Sequence, residues 1–207
     1  MTTPRQLLVI TMNVSSERPV RSGDLSLALA GAELIDLYRA GAVELSEDRI
    51  TPGPGPAPAD VLLEQAFGSL RREEPHESIG DWLWRRGDAL AEAYFKAFEA
   101  EGLLTRRRRR GHPFQAAELV LADSAVRREA AELRSRTDPA LSALAGAVGI
   151  WGEGPDGRPQ DAPEVTDDTV AYILAAAGDS MTELETERQR RDIEQSAFDN
   201  VWRNPDV

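Results

Sequence analysis

The chain has 207 residues, 24 basic and 36 acidic, for a formal net charge of −12, and no cysteine. That length suits a single domain over 1–207 with a sizeable core, and the missing cysteines exclude disulfides and thiolate metal sites. No run of eighteen apolar residues occurs, so no spanning helix is expected, and the acidic balance argues against nucleic acid, whose binding rests on phosphate contacts.

Gln6–Val14 is a short apolar run, readable as strand or helix, and its lack of a small-residue cleavage site argues against a signal peptide. Residues 15–19 read as a turn. Leu25, Leu29, Ala32 and Leu37 then fall near helical spacing, with Ser22 or Asp24 as candidate caps and Gly41 where a helix stops. Val43–Leu45 and Arg49–Thr51 alternate around a turn and predict a hairpin. The proline- and glycine-rich stretch from Pro52 to Pro58 is a loop, since proline lacks a donor and favours extended backbone.

Asp60 is placed to cap a helix whose buried face is Leu62, Leu63, Ala66, Phe67 and Leu70. Ser78 followed by Asp81 resembles a capping box and starts a helix through Trp82, Leu83 and Arg86. Asp88 is expected to open the next, with Leu90, Ala93, Tyr94, Ala97 and Phe98 inward and Gly102 at its end. Leu103–Thr105 and Glu118–Ala122 then predict a second hairpin, with its turn at Gly111-His112-Pro113. Asp123-Ser124 caps a predicted helix to Thr137. Asp138-Pro139 opens another, Ala140–Trp151, so uniformly apolar that it is expected at the centre of the fold. A loop from Gly152 to Pro163 follows, then helices from Thr166 to Ala177 and from Asp179 to about Arg203. The fold class expected is mostly α: a central hydrophobic helix bundle ringed by amphipathic helices, with short β-hairpins.

No catalytic constellation is expected. The two histidines, His76 and His112, both lie beside prolines in predicted loops without metal-ligand spacing, so no metal or other cofactor is expected. Gly152-x-Gly154-x-x-Gly157 follows a helix rather than a strand and reads as a loop. Asp167-Asp168 and Glu183, Glu185 and Glu187 read as helix acids. Trp82 and Trp84, two apart, cannot share a helix face, yet core packing is the expected role of both. The strongest feature is the run Arg106, Arg107, Arg108, Arg109, Arg110. Residues 153–207 carry a net −9, leaving only −3 for the other 152 residues, so local basic surface is compatible with the global sign. The run reads either as a solvated guard on an edge strand or as an anion contact. Near an anionic bilayer each arginine contributes roughly 1 kcal/mol, enough in sum for reversible, salt-sensitive attachment.

Several segments in order carry a resemblance. They are Leu29-Ala30-Gly31-Ala32-Glu33-Leu34-Ile35-Asp36-Leu37, Gly41-Ala42-Val43-Glu44-Leu45, and Asp60 to Ala66 after a proline-rich stretch. Trp82, Glu101-Gly102-Leu103-Leu104-Thr105 and Asp138 to Leu144 complete the series. Together they resemble the Golgi phosphoprotein 3 family, in an actinobacterial member, as the alanine-, glycine-, proline- and arginine-rich composition of a high-GC bacterium also suggests. The resemblance implies a non-enzymatic, peripheral membrane adaptor that binds phosphatidylinositol 4-phosphate. It also implies an unknown protein partner and a homo-oligomer formed through the hairpin 103–122. It implies a pocket of one tryptophan and three arginines, but the corresponding positions here are Arg21, Ala30, Asp88 and Ala91. A phosphate monoester needs charge-assisted donors, and an aspartate there repels it. The lipid or anion candidates are therefore Arg21, Arg85, Arg86 and Arg106 to Arg110, in a cytoplasmic protein on the inner face of a membrane. The other readings are a winged-helix-like nucleic-acid module and a scaffold with no lipid ligand.

Overall fold

The computed structural model describes residues 1–13, 20–107, 118–122, 128, 132, 138–150 and 164–203. Seven helices and two hairpins are labelled here in chain order: α1 Thr3–Asn13, α2 Ser22–Arg39, β1 Val43–Ser46, β2 Arg49–Pro52, α3 Val61–Gly68 and α4 Ile79–Arg86. After these come α5 Leu90–Ala100, β3 Leu104–Arg107, β4 Glu118–Leu121, α6 Pro139–Ala147 and α7 Asp168–Arg203. The expected turn at 15–19, the hairpin tip Gly111-His112-Pro113, Trp151 and the loop 152–163 lie outside the described residues. So does the helix expected over 123–137, apart from Arg128 and Glu132.

The mostly α class with short hairpins is the class found. Its centre differs from the expectation. Helix α6 ends at Ala147, and Gly146 and Ala147 are exposed. The central helix is α2, which buries twelve of its eighteen residues and touches α1, α3, α4, α5, α6 and α7. Its Ala28, Ala30, Gly31 and Ala32 let neighbours approach closely, and its eighteen residues, against nine in α6, give it the length to meet six other helices. One apolar cluster runs from Leu7 in α1 through α2 to Met181 in α7.

The open reading of residues 6–14 resolves to helix as far as Asn13, the last described residue of the run, and begins earlier at Thr3, where the Asp36 carboxylate accepts from the Thr3 N–H and hydroxyl at 2.7 and 2.5 Å. The two helices expected after residue 166 are one. Val170, Ile173, Ala177, Ser180 and Met181 keep a three-four spacing of buried positions across Gly178, and that packing outweighs the roughly 1 kcal/mol that glycine costs a helix. Neither Ser22 nor Asp24 caps α2: Arg21 occupies that position without a side-chain capping bond, and Asp24 pairs with Arg188 instead. Asp88 does not cap α5 either; Ala89 precedes the helix with φ +53°, and the buried Ser26 hydroxyl of α2 accepts from the Ala91 N–H.

Caps at Asp60, Ser78 and Asp138 form as expected, each side chain accepting first-turn N–H bonds. The helix–hairpin unit occurs twice for one reason. Gly41 and Gly102, at φ +66° and +73°, close α2 and α5 with a left-handed residue. The next N–H bonds back five residues, Ala42 to the Leu37 carbonyl and Leu103 to that of Phe98. Each chain then turns directly into an antiparallel pair, β1–β2 or β3–β4.

The proline-rich loop straps the first unit. The Gly53 and Gly55 N–H groups donate to the Ala42 and Gly41 carbonyls at 2.9 and 2.7 Å. A Cβ on Gly55 would lie 2.3 Å from the Ala40 carbonyl oxygen, so the Gly-Pro alternation serves close backbone approach. Gly55→Ala is expected to cost about 1–3 kcal/mol through that overlap. Gly68→Ala, with nothing within 4 Å of the added methyl, is expected to be neutral or mildly stabilising. Urea denaturation midpoints of the two variants check both.

Candidate anion-contact surface

Helix α4 carries two of the candidate arginines in its last turn, where cations offset the helix dipole. Arg86 points inward. Its Nε and Nη2 donate to Glu33 Oε2 and Oε1 at 2.7 and 2.9 Å, and Nη2 also donates to the Leu62 carbonyl at 3.0 Å. The Tyr94 hydroxyl donates to the same Glu33 Oε1 at 2.9 Å. The Glu33 side chain is wholly buried. Burial pushes its carboxyl above the ordinary glutamate range, against the opposing hydrogen bonds and charge of Arg86 and the Tyr94 bond. Burial works to lower the Arg86 value, but Glu33 more than offsets it and holds the guanidinium charged. Burial and then the Glu33 charge raise Tyr94, which stays a neutral donor.

Arg85 reaches the other way. It donates to Glu77 at 2.6 and 3.1 Å and to the Ser69 carbonyl at 3.2 Å, with its guanidinium 5.3 Å from the Trp82 ring centroid. Glu77 is also buried. Trp82 is in the core, but Trp84 is exposed, so the expected core role fails for Trp84: two residues apart on one helix they face different sides, and only one side meets the core.

Arg21 pairs with Glu185 on α7, and Glu185 also faces Arg188 at 3.6 Å. A hydrogen bond from Gln189, aided by the charges of Arg21 and Arg188, holds Glu185 below the ordinary range. Arg106, on β3, donates to Glu99 of α5 through Nε and Nη2 at 2.6 and 3.1 Å. That bond lowers Glu99 and raises Arg106. Arg107 follows, exposed. Leu104 and Leu121, opposite each other and buried, root this hairpin in the core. Arg108, Arg109 and Arg110 lie outside the described residues.

Arg85 and Arg21 line separate cavities. Arg85 lines a cavity of about 480 Å³ with Ser22, Gly23, Trp84 and Asp88. Arg21 lines a second, of about 540 Å³, with Asp24 and Glu185. Of the positions corresponding to the family's pocket, Ala30 and Ala91 are packed in the core, Arg21 is exposed, and Asp88 faces the first cavity. Sequence reasoning placed Tyr94 inward but missed its bond to Glu33, and it missed Glu33, Glu77 and Glu99 as partners of arginines. Glu33 alone left a signal, as a carboxylate in the middle of an otherwise apolar helix face.

A family model, Golgi phosphoprotein 3 (GPP34), matches residues 4–201. The chain belongs to the Golgi phosphoprotein 3 family. At the level of the family this suggests a Golgi-type adaptor that binds lipid, and a non-catalytic one. A search of curated proteins found no match. Among the described residues no helix is long and apolar enough to cross a membrane, and no group of three or more His, Cys, Asp or Glu is arranged to hold a metal. His76 has a buried Nδ1 without a hydrogen-bond partner, and His112 lies outside the described residues.

Arg86→Met would leave Glu33 buried and unpaired, and is expected to cost about 3–5 kcal/mol in urea unfolding. The raised Glu33 carboxyl also has a pH signature. The folded chain holds that proton where the unfolded chain has released it, so this contribution is present below the ordinary glutamate range and lost as pH rises through the raised value. Stability should therefore carry a component that falls as pH rises above the ordinary glutamate range and that Glu33→Gln removes; an unchanged slope in that variant contradicts the assignment.

Proposed function

We propose that this chain is a non-catalytic adaptor, one domain over 1–207, which attaches peripherally to an anionic membrane on its cytoplasmic face and holds a protein partner. The observation that carries the reading is the β3–β4 hairpin. Its base is fixed in the core by Leu104 and Leu121, and its exposed Arg106 and Arg107 begin a run of five arginines. Membership of the Golgi phosphoprotein 3 family supports lipid as the ligand class. With Asp88 facing the 480 Å³ cavity and alanines at the buried positions, the contact is read as electrostatic, through the hairpin. Phosphatidylinositol 4-phosphate is then one anionic lipid among several that the surface accepts. The same hairpin, 103–122, is the proposed contact for a homo-oligomer.

Co-sedimentation with neutral, generally anionic and phosphatidylinositol 4-phosphate vesicles across a salt series tests this. Binding is expected to both anionic kinds and to fade as salt rises, because exposed charges are screened within about 10 Å at 0.1 M. Replacing Arg106 to Arg110 together by glutamate is expected to abolish it; a reversed variant that still binds would overturn the reading. Preference for the phosphoinositide at high salt would instead point to a specific pocket.

A further inference from the structure

The candidate arginines divide by what their carboxylate partners would lose. Glu33 and Glu77 have side chains 0% and 1% exposed, so moving Arg86 or Arg85 would leave a bare carboxylate in the interior. Those two are fixed in place. Glu99 is different. Its side chain is 26% exposed and that of Arg106 is 65% exposed, so water can solvate either group once they part. An exposed pair of this kind is held weakly. The two groups nevertheless meet side-on through two bonds, a fork geometry that also suits phosphate, so carboxylate and phosphate compete for the same guanidinium face.

We propose that the Glu99–Arg106 pair is an autoinhibitory contact that withholds Arg106 from an anionic bilayer. Glu99 sits on α5, whose Tyr94 and Phe98 are buried, so its position is set by the core. Arg106 sits on β3 next to Arg107, at the start of the arginine run. On a membrane surface Arg106 exchanges Glu99 for lipid phosphate, and Glu99 is left to water. The surface therefore has a built-in competitor, which lowers affinity and keeps attachment reversible. This inference rests on the membrane reading above.

The test is a double-mutant cycle read by binding to vesicles of mixed phosphatidylcholine and phosphatidylserine at low salt. Glu99→Gln is expected to tighten binding about fivefold, the gain from one arginine at an anionic surface. In an Arg106→Ala background the same change should give no more than the small effect of one lost negative charge. Glu64→Gln, an exposed change of equal charge on α3, should have an effect that is small and identical in both backgrounds. Tightening by Glu99→Gln that is the same with and without Arg106 would show only a change in net charge, and overturns the proposal. Wild-type binding with Glu99→Gln unchanged overturns the proposal alone. Failure of both proteins to bind overturns the membrane reading and this inference together. Binding by Glu99→Gln where wild type does not bind supports both.

Discussion

The rest of the structure depends on one buried carboxylate, Glu33, in the middle of the central helix. Placed among Leu29, Ala30, Leu34 and Ile35, it has to be satisfied by groups from elsewhere in the chain. Arg86 brings α4, Tyr94 brings α5, and the Arg86 bond to the Leu62 carbonyl brings α3 to the same point. The apolar contacts around it supply most of the cohesion but little direction, since hydrophobic burial is not directional. A bidentate guanidinium, a phenol and a carbonyl converging on one site fix how three helices sit on a fourth.

The same device explains how so acidic a chain can carry arginine-rich surface. Much of its basic charge is already committed. Arg5 reaches Asp60 and Glu101 while lying 4.8 Å from the Phe98 ring centroid, and Arg39 reaches the Asp138 cap at 3.0 Å. Asp138 ends below its ordinary range: burial pushes it up, but the Arg39 bond and charge and two backbone N–H bonds win. Arginine is the residue for these roles because its planar fork satisfies both carboxylate oxygens. Lys96, the only lysine, makes just an exposed contact with Glu92 at 3.7 Å.

Two hairpins grow from the ends of buried helices in the same way, yet they face different tasks. β1–β2 is held down: the Ile50 N–H donates to the Glu77 carbonyl, the Ile79 N–H to that of Asp48, and the Gly-Pro strap closes over Gly41. β3–β4 is rooted at Leu104 and Leu121 and turns charged within two residues.

Local chemistry was legible in the sequence wherever it is settled within a few residues. The caps at Asp60, Ser78 and Asp138, the glycines that end α2 and α5, and both hairpins follow from the nearest neighbours along the chain, and so does the mostly helical class. The family could also be read from the order of short segments. What the sequence left undecided depended on partners far along the chain. A run of apolar residues says that α6 is buried, but not that the longer α2 is the helix others pack around. Gly178 looks like a helix end until the buried faces on either side of it are seen to be one face. Above all, an arginine reads the same in sequence whether it will meet lipid or close a buried carboxylate. Only the fold, by bringing residues 53 apart to within 2.7 Å, showed that Arg86 belongs to Glu33.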